Sequence, residues 1–556
     1  MYAVLTRQGG ETTIQELDDT GAVRGAARAV DDLPAEVRRL APDRPRWVWS
    51  DTAVWYPPLL RAGVRVERCV DVRLSHAIIR RSRLTSSSPV ATAPEGVWDE
   101  TVRDIPVAAE GLFALDDLEH VPRRGASQRG ELDTLEEFLR QRDAVATSSE
   151  PARLGLLLAA ESAGALVAAE IHHVGLPWSV EVHDRLLVEN LGSRPAREGD
   201  RPSAMHAVAA DVRAALDAPG LNVDSPVDLL AALGRVGITA GSTRSWELEK
   251  LTHPAIGPIL EYKRLARLWT ASGWAWLDTN VVDGRFHPEY VPGGVVTGRW
   301  SSKGGGGALQ LPKAVRSAVV ADPGWTLVVA DAAQLEPRIL AALASDRGMV
   351  EAGSSGDLYA GIVASGAVAS REHAKVAMLG AMYGATSGDA GRLLPRLAER
   401  YPRAIGFVEA AARAGERGEV VSTHLGRTSP PGDGVGYDET ATPADAERAR
   451  SRAKAWGRFT RNFVVQGTAA EWALCWMAGL RTRLRALGGD TDLEREPHLA
   501  FFLHDEVVVH CPRDLADEVE RAIREAAADA GRLLFGDLPV TFPVTVAAVD
   551  DYAKAK

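Results

Sequence analysis

Apolar positions follow two different periods along the chain. Residues 154–171 are rich in Ala and Leu with helical periodicity, and residues 226–233 and 260–268 read as further helices. After residue 274, helical stretches alternate with short β-like runs, at 325–330, 500–503, 507–510 and 540–549. A period near 3.6 residues indicates helices, and short apolar runs indicate strands. The pattern therefore predicts an α+β fold.

The N-terminal part of the sequence differs from the rest. Residues 1 to about 120 mix short β-like runs with loops rich in Pro, Ser and Gly. Residues 121–149 are charged and poor in aromatic residues, as connecting segments are. We therefore expect a small domain over 1–125, a linker over 126–150 and a large domain over 151–556.

Composition indicates a large protein without membrane-spanning segments, disulfides or structural zinc. A chain of 556 residues with 46% hydrophobic content can build several cores, roughly two to four domains or subdomains. The N-terminus lacks a basic region followed by a long apolar one, and no uninterrupted apolar stretch is long enough to cross a bilayer. Three cysteines without Cys-x-x-Cys spacing argue against disulfides and structural zinc. We expect a cytoplasmic protein with no membrane partner.

The net charge of −11 has the wrong sign for a protein that coats nucleic acid, because contacts with phosphates need local cations. Any nucleic-acid surface must therefore be a patch. Six basic residues lie close together, several of them at helical i,i+4 spacing: Arg448, Arg450, Arg452, Lys454, Arg458 and Arg461. The alternative is a solvated helix face balanced by Asp445 and Glu447.

Acidic residues stand at the ends of two β-like runs. Asp331 follows the run at 325–330, where it would either face a cleft or cap the next helix. Asp505 and Glu506 lie between two strongly apolar runs, which predicts the tip of a core hairpin; an ordinary acidic turn is the alternative. Carboxylates brought together in a partly desolvated site repel each other unless a cation bridges them. A divalent metal site is one hypothesis for these residues.

A helical segment at 371–383 carries polar and apolar residues at every fourth position. Arg371, Lys375, Leu379 and Tyr383 are each rotated about 40° from the previous one, so they form one slanted row. The two cations at one end of the row could bind the phosphates of a nucleotide. An amphipathic helix with solvent-exposed basic residues is the alternative.

Taken in order, these segments resemble a known family. Asp-x-x-Gln-x-Glu-x-Arg at 331–338, Arg-x-x-x-Lys-x-x-x-Leu-Gly-x-x-Tyr-Gly at 371–384 and His-Asp-Glu at 504–506 resemble motifs A, B and C of family A DNA polymerases, the bacterial DNA polymerase I type. Two further segments fit the same pattern. They are Thr-Gly-Arg-Trp-Ser-Ser at 297–302, with Leu-Gln-x-Pro downstream, and Arg-x-x-x-Asn-x-x-x-Gln-Gly-Thr-Ala-Ala at 458–470.

The resemblance implies a right-hand polymerase fold, preceded by a small α/β domain of the ribonuclease H-like exonuclease type. Its subdomains would be a thumb at about 205–285, a palm at about 286–345 and 460–556, and fingers at about 346–425. The implied activity is template-directed addition of deoxynucleotides to a primer 3′ end by two-metal-ion phosphoryl transfer. Primer-template DNA and dNTPs would be the partners.

The resemblance also implies roles at the reacting centre. Asp331 and Asp505 match the ligands of two Mg²⁺ ions, for which Mn²⁺ could substitute, and Glu506 would support them. Glu336 matches a steric gate that occupies the space of a ribose 2′-hydroxyl. The remaining matches to the incoming nucleotide bind its triphosphate or lie near its sugar and base: Gln334, Arg371, Lys375, Leu379 and Tyr383. Six residues match positions in DNA-binding segments: Arg299, Gln310, Arg458, Asn462, Gln466 and His504.

The sequence departs from the family pattern at several positions. Leu379 stands where an aromatic residue is usual, which removes a ring that would pack on the incoming sugar. Ala332 and Ala333 stand where Tyr-Ser is typical. Pro337 follows the gate, which the first turn of a helix tolerates. None of these departures removes a metal ligand.

The N-terminal domain lacks the exonuclease signature. A proofreading exonuclease of this family needs about four carboxylates, beginning with Asp-x-Glu on the first strand, and that motif is missing. Residues 47–79 resemble the second exonuclease motif, but Trp55 or Tyr56 falls where its Asp is expected. Asp117-Leu-Glu119 has the right spacing but comes too late in the chain. We expect a shortened, inactive exonuclease-like domain.

Two other functions remain open from the sequence. A single-subunit RNA polymerase shares the two aspartates and a similar fingers helix, although Glu336 and the Gln-Gly-Thr-Ala-Ala segment at 466–470 argue against it. A non-catalytic primer-template binding protein is compatible with Leu379, but the retention of Asp331, Lys375 and Asp505 argues against it. We further expect a monomer without a preceding 5′-nuclease domain.

Overall fold

The computed structural model describes residues 1–99, 132–197, 199–303, 309, 311–385, 388–432, 442–489 and 492–555. The chain forms two units. The first comprises Met1–Val174, Glu289–Gly304 and Gly324–Ala548, and the second comprises Gly175–Pro288, Gly305–Pro323 and Val549–Lys556. The N-terminal region therefore shares a unit with the strands and helices that carry the predicted metal and nucleotide sites.

The N-terminal region is built on a five-stranded sheet of order β3-β2-β1-β4-β5. Its strands are β1 (Tyr2–Gln8), β2 (Glu11–Leu17), β3 (Val23–Ala29), β4 (Arg46–Trp49) and β5 (Cys69–Asp71). Strands β1, β2 and β3 pair antiparallel, whereas β1, β4 and β5 pair parallel. The helices of this region are α1 (Leu33–Leu40), α2 (Thr52–Arg61), α3 (Val72–Ile79), α4 (Pro89–Thr92) and α5 (Thr134–Ala146).

Helix α5 lies within the segment that the sequence predicted as a linker. Its Phe138 is 3% exposed and packs with Val4, Leu17 and Val48 of the sheet. Residues 134–146 therefore contribute to the core of the N-terminal region, because apolar side chains on one helical face find a matching apolar sheet face. Residues 100–131, with Asp117 and Glu119, lie outside the described residues, and the domain boundary near 125 stays a prediction.

The second unit is mainly helical. Its helices are α7 (Val180–Leu191), α8 (Ser203–Ala215), α9 (Pro226–Arg235), α10 (Ser245–Leu248), α11 (Ile256–Ser272) and α12 (Trp274–Asn280), and they follow α6 (Pro151–Val174) of the first unit. Short strands β6 (Leu176–Pro177), β7 (Val281–Val282) and β8 (Arg285–Phe286) pair in the order β6-β8-β7. The helices predicted at 154–171, 226–233 and 260–268 are confirmed.

A four-stranded sheet lies at the centre of the first unit. After the short pair β9 (Tyr290–Val291) and β10 (Ser301–Ser302), its strands are β11 (Trp325–Ala332), β12 (His498–Leu503), β13 (Glu506–Pro512) and β14 (Val544–Val549), in the order β12-β13-β11-β14. Strand β13 pairs antiparallel with both β11 and β12. The four β-like runs of the sequence are therefore confirmed as strands, although the last begins four residues later than predicted, at Val544.

Eight helices complete the described part of the first unit: α13 (Leu335–Ala344), α14 (Arg347–Gly353), α15 (Leu358–Ala364), α16 (Arg371–Tyr383), α17 (Gly388–Arg400), α18 (Pro402–Glu416), α19 (Pro443–Gly488) and α20 (Ala516–Phe535). Helix α19 spans 46 residues. It begins with a reciprocal capping box between Thr442 and Asp445 and ends at Gly489, whose left-handed backbone (φ 86°) suits glycine.

A buried charged cluster joins the N-terminal region to the long helices. Glu170 of α6 accepts hydrogen bonds from Tyr56 of α2 (2.6 Å) and from Arg481 of α19 (2.8 and 2.9 Å). Arg481 also donates to the carbonyl of Val66 at 2.6 Å. Separating these helices would leave buried charges without their partners, which is costly. The cluster therefore fixes how the three helices pack.

Helix α6 has the length and apolar composition of a membrane span, with 67% of its most apolar window buried in the fold. It packs against α2 and α19. Two carboxylates interrupt its apolar sequence, and both are buried and have cationic partners: Glu161 with Arg427 and Glu170 with Arg481. Burial and ion pairing of this kind are typical of a core helix.

A second buried carboxylate, Glu471 of α19, holds a nearby loop. Its oxygens accept hydrogen bonds from the hydroxyl of Thr423 and from the backbone N–H of Leu425, the latter at 3.0 Å. Burial raises the pKa of Glu471 to about 7, although both hydrogen bonds act in the opposite direction. The folded protein therefore favours the protonated form of this carboxyl more than the unfolded chain does.

This raised pKa predicts a pH-dependent stability. In the unfolded chain Glu471 ionises near its ordinary pKa of 4.5, so the folded state binds the extra proton between about pH 4.5 and 7. The free energy of unfolding should fall as pH rises through this window, by up to about 3 kcal/mol at 1.36 kcal/mol per pKa unit. Glu471→Gln should remove this component when urea unfolding is measured at pH 5, 6, 7 and 8.

Glu399→Gln is the matched control, since Glu399 is exposed on α17 and forms no ion pair with any described residue. This variant should keep the wild-type pH slope. An identical slope in wild type and Glu471→Gln would contradict the prediction.

Candidate active site

The pairing of β11 with β13 brings the predicted metal ligands together. In the register of these strands Asp331 lies opposite Glu506, and the backbone N–H of Ala332 donates to the carbonyl of Asp505 at 2.9 Å. His504 and Asp505 form the turn between β12 and β13, and His504 adopts a left-handed backbone with φ 60°. The predicted hairpin tip is confirmed, and paired residues of this kind lie about 5 Å apart.

The carboxylate of Asp505 in this turn lies close to a second carboxylate. Burial raises the pKa of Asp505 to about 7, and the negative charge of Asp331 adds to the shift. Among the described residues no group of three or more His, Cys, Asp or Glu side chains forms a metal cage. Two carboxylates without further protein ligands fit Mg²⁺, which usually keeps several waters and is bound by one or two carboxylates plus substrate phosphates. The donor set thus suits a shared divalent ion.

Four predicted residues from separate segments are joined by hydrogen bonds. Glu336, in the first turn of α13, accepts a hydrogen bond from the Tyr383 hydroxyl at 2.7 Å and an ion-paired hydrogen bond from Arg299. Gln466 of α19 donates to the Tyr383 hydroxyl at 3.2 Å. Burial, followed by the charge of Glu336, raises the pKa of Tyr383, so the phenol remains a donor.

His504 belongs to the same neighbourhood. Burial lowers the pKa of His504, and the positive charge of Arg299 lowers it further. The imidazole is therefore disposed to be neutral near pH 7, when it can offer one donor and one acceptor. The structure thus brings His504 together with Arg299 and Glu336.

Gln334 connects the site to α15. Its backbone is left-handed (φ 55°) immediately before α13. The side-chain nitrogen donates to Asp357 at 2.8 Å, and the side-chain oxygen accepts from the backbone N–H of Leu358 at 2.8 Å. Asp357 also accepts from Arg371 at 2.8 Å, a bond that lowers the pKa of Asp357 against the effect of burial. Asp357 is thus the link between Gln334 and Arg371.

Sequence reasoning did not identify Asp357. The only local signal was an Asp before an apolar run, which indicates a helix N-cap, and Asp357 does cap α15. Its contact with Arg371 depends on how α15 packs against α16, which no local pattern encodes. Arg338 was likewise given no role, yet it is buried and donates to the carbonyls of Ala333 (3.1 Å) and Gly353 (3.0 Å).

The row on α16 is confirmed. Arg371 and Lys375 are exposed and Leu379 and Tyr383 are half-buried, while Ala374, Ala377, Met378 and Ala381 are buried. Lys375 forms no ion pair with the residues that the structure describes. An exposed, uncompensated ammonium on this row remains available for an anionic ligand.

Helix α19 presents a second row, at four-residue spacing. Arg458 is exposed, whereas Asn462 and Gln466 are half-buried. The side-chain oxygen of Asn462 is buried without a hydrogen-bond partner among the described residues. A buried carbonyl oxygen without a donor has a desolvation cost, so this position favours a ligand that donates a hydrogen bond.

The basic cluster at 448–461 contains both paired and unpaired cations, and its role in binding nucleic acid stays a prediction. Arg448 pairs with Asp445 and Arg450 pairs with Glu447, one turn apart on the helix. Arg461 is buried and donates to the carbonyl of Ala381 at 2.8 Å. Arg448 and Arg450 therefore fit the balanced helix face considered from the sequence, whereas Arg461 belongs to neither alternative because it is buried. Three cations of the cluster form no ion pair within the described chain: Arg452, Lys454 and Arg458.

One predicted DNA-binding residue, Gln310, lies outside the described residues. The other five lie on or beside α13, α16, α19 and the β12–β13 turn. Arg458 also packs beside Gly384, where an added Cβ would lie 3.1 Å from its Cγ. Gly384 ends α16 with a left-handed backbone (φ 73°).

Comparison with known proteins places this geometry in context. The model of the family "DNA polymerase family A" matches residues 203–554, well over half of the 556 residues. A thermostable DNA polymerase I from Thermus filiformis is 31% identical over 357 residues, which cover 59% of this chain and 40% of that protein. DNA polymerase I of Deinococcus radiodurans is 31% identical over 310 residues, 50% of this chain and 30% of that one. The chain spans less than half the length of these relatives.

A solved structure extends the likeness to the fold. The POL domain of Pol1 from M. smegmatis, in complex with DNA primer-template and dNTP, matches 98% of this chain and 93% of its own, with a TM-score of 0.68 and 19% identity. The predicted right-hand polymerase fold class is thereby confirmed, whereas the exonuclease-like character of the N-terminal region stays a prediction. Since the segment matched by the family model contains the paired carboxylates and both helical rows, this chain belongs to DNA polymerase family A.

Proposed function

We propose that the protein is a template-directed DNA polymerase that adds deoxynucleotides to the 3′ end of a primer. The observation that carries the proposal is the β11–β13 register, which sets Asp331 opposite Glu506 and thus next to the turn that holds Asp505. Family membership supports it, as do the relatives named DNA polymerase I. Primer-template DNA and dNTPs are the proposed partners, and we propose that the protein acts in the cytoplasm as a monomer.

Asp331 and Asp505 would hold two Mg²⁺ ions, which when bound supply activation of the primer 3′-hydroxyl and charge neutralisation on the triphosphate. The raised pKa of Asp505 indicates that this carboxyl binds a proton readily when no cation is near. Glu506, which is 2% exposed beside Asp331, adds a further acidic group to the same place. These three acidic residues together concentrate negative potential where a cation is required.

Arg371 and Lys375 are proposed to bind the triphosphate. Asp357 holds the Nε of Arg371 at 2.8 Å, and the terminal guanidinium nitrogens form no hydrogen bond with a described residue, so they are available to a ligand. Lys375 lies one turn further along the same face, as an exposed point charge. Both the nitrogen and the oxygen of the Gln334 amide form hydrogen bonds, which hold the start of α13 in place. This segment would lie beneath the phosphates of a bound nucleotide.

Glu336 is proposed to act as the gate against ribonucleotides. Its carboxylate is held on one side by Tyr383 and on the other by Arg299. A side chain fixed by two donors cannot move aside for an extra hydroxyl without breaking those bonds. Because Leu379 brings no ring to this face, sugar discrimination would depend mainly on Glu336.

The primer and template are proposed to lie along α19 and the β12–β13 turn. Asn462 offers a buried acceptor, and Arg458 offers an exposed guanidinium one turn earlier. Gln466, His504 and Arg299 would contact the newly formed base pair. Because cations such as Arg458 would contact phosphates on a chain whose net charge is −11, binding should weaken with added salt.

The N-terminal region is proposed to lack proofreading. Strand β1 (Tyr2–Gln8) contains no acidic residue, and Trp55 is buried where a carboxylate is expected. Two carboxylates beside the sheet already have structural roles. Asp51 caps α2 and pairs with Arg73, and Asp71 accepts from the backbone N–H groups of Thr52 (2.8 Å) and Leu74 (2.9 Å).

Removing either proposed metal ligand should abolish synthesis. In single-turnover primer extension with Mg²⁺, Asp331→Asn and Asp505→Asn should each slow incorporation by at least about 1,000-fold, since metal ions contribute several kcal/mol and each 1.36 kcal/mol is tenfold. Asp517→Asn, on the exposed start of α20, is the control and should keep the wild-type rate. A wild-type rate in either site variant would refute the assignment.

Shortening the gate should relax sugar selection. We expect Glu336→Ala to raise the ratio of ribonucleotide to deoxynucleotide incorporation by at least about tenfold, an effect of roughly 1.4 kcal/mol. Tyr383→Phe removes one support of Glu336 but keeps the carboxylate, so it should change the ratio less. An unchanged ratio in Glu336→Ala would overturn the gate, and a wild-type preference for ribonucleotides would favour a single-subunit RNA polymerase.

A primer with a mismatched 3′ end tests the absence of proofreading. Incubated with Mg²⁺ and no dNTPs, the primer should keep its full length over many turnover times of synthesis. If the mismatched primer is shortened, and is shortened equally by Asp505→Asn, the protein contains a nuclease separate from the proposed polymerase site. Binding of primer-template without any incorporation, in Mg²⁺ or Mn²⁺, would instead favour a non-catalytic binding protein.

A further inference from the structure

A cavity of about 280 Å³ lies in the N-terminal region, between the sheet and helices α3, α5 and α6. Tyr2 and Arg46, which are register partners at the start of β1 and β4, line one side of it. No residue of β11, β13, α16 or α19 lines this cavity. The cavity is therefore separate from the proposed polymerase site, and a ligand could bind in it whether or not the protein synthesises DNA.

Two residues that line the cavity each have a buried polar atom without a hydrogen-bond partner among the described residues. The hydroxyl of Ser75 and the side-chain oxygen of Gln141 form no hydrogen bond among the described residues, although Ser75 is 1% and Gln141 3% exposed. The Gln141 amide nitrogen donates to the carbonyl of Val72 at 3.0 Å and to Glu137 at 2.9 Å. These bonds fix the amide, so its oxygen is an acceptor that requires a donor from elsewhere.

A cation that lines the same cavity is also unpaired within the described part of the chain. The guanidinium of Arg46 is half-buried and forms no hydrogen bond or ion pair with any described residue. Burial lowers the pKa of Arg46, and the positive charge of the neighbouring Arg68 lowers it further. A partly desolvated guanidinium beside a like charge is unfavourable unless an anion accompanies it. This corner of the cavity therefore favours a negative group.

Aromatic side chains line another part of the cavity. The rings of Tyr2 and Phe138 lie 5.1 Å apart and both line the cavity. Arg142 stacks over Tyr2 at 4.9 Å and is held there by its hydrogen bond to the carbonyl of Thr20 at 2.9 Å. Leu158 of α6 adds an apolar wall. A flat apolar group fits this lining better than a branched or fully polar one.

We propose that this cavity binds a small aromatic anion that carries a hydrogen-bond donor. Its negative group would pair with Arg46, its donor would satisfy the oxygen of Gln141, and its ring would pack against Phe138. The volume is close to the lower end of the roughly 300–1,000 Å³ range of ligand pockets, which favours a single ring system over an extended chain. Ser75 would supply an additional hydrogen bond to the anion.

The test compares defined probes on the full chain by thermal shift and isothermal titration calorimetry. The probes are 4-hydroxybenzoate, a carboxylate, and the four deoxynucleoside monophosphates, which are phosphates; inorganic phosphate and acetate supply an anion without a ring. At least one aromatic probe should bind with one-to-one stoichiometry and raise the melting temperature, while the ringless anions should not. Whichever aromatic probe binds more tightly, the carboxylate or a phosphate, then identifies the preferred negative group.

Variants locate the binding. Arg46→Met should weaken the best probe by at least tenfold, and Ser75→Ala should weaken it several-fold, while both keep the wild-type rate of primer extension. Arg68→Met is the control and should bind normally, because Arg68 does not line the cavity and donates to the carbonyl of Arg44 at 2.9 Å. Since the side chains of Arg46 and Ser75 form no hydrogen bond or ion pair with a described residue, both variants should fold as stably as wild type.

Three results would overturn the proposal. One is the absence of a melting-temperature shift with every aromatic probe, which would leave the cavity to solvent. Another is equal stabilisation by ringless anions, which would reduce the site to nonspecific anion binding. The third is a probe affinity that is unchanged in both Arg46→Met and Ser75→Ala, which would place the binding elsewhere on the chain.

Discussion

The antiparallel pairing of β11 with β13 is the contact on which the site depends. It joins two strands that are far apart in the sequence and leaves Asp331 and Asp505 at the same end of the sheet. Burial raises the pKa of Asp505, and the like charge of the neighbouring Asp331 adds to the shift. The fold thus holds an unfavourable arrangement that a divalent cation would relieve.

Other charged residues surround this pair in an ordered way. Glu336 is held by Tyr383 and Arg299, and Arg371 is held by Asp357. Each of these side chains therefore has a partner that fixes its rotamer, which is how a site is prepared before its substrate arrives. Lys375 differs, since it is exposed with no ion pair in the described chain, and it remains available for a mobile anionic ligand.

The same unit is held together by buried ion pairs remote from the site. The cluster of Glu170, Arg481 and Tyr56 bonds the N-terminal region to α6 and α19, and α19 in turn carries Asn462 and Gln466. The N-terminal region therefore supports the helix that presents the proposed DNA contacts, even though its first strand lacks the acidic exonuclease motif. This structural role requires no nuclease activity of the N-terminal region.

Much of this could be predicted from sequence where local patterns carry the information. The strand before Asp331, the hairpin tip at Asp505 and the row on α16 each follow from periodicity within a few residues, and ordered motifs then pointed to the family. What could not be predicted depends on tertiary contacts. Asp357 reads locally as a helix cap, Arg461 reads as a surface cation although it is buried, and α5 reads as a linker although Phe138 completes a core.

The number of divalent ions bound by the proposed site of Asp331 and Asp505 can be measured directly. Mn²⁺ binding followed by electron paramagnetic resonance, with primer-template and a non-hydrolysable dNTP analogue, should give two bound ions in wild type. Asp331→Asn and Asp505→Asn should each bind at most one with comparable affinity. Two ions bound as tightly in both variants as in wild type would contradict the claim that β11 and β13 assemble a shared metal site.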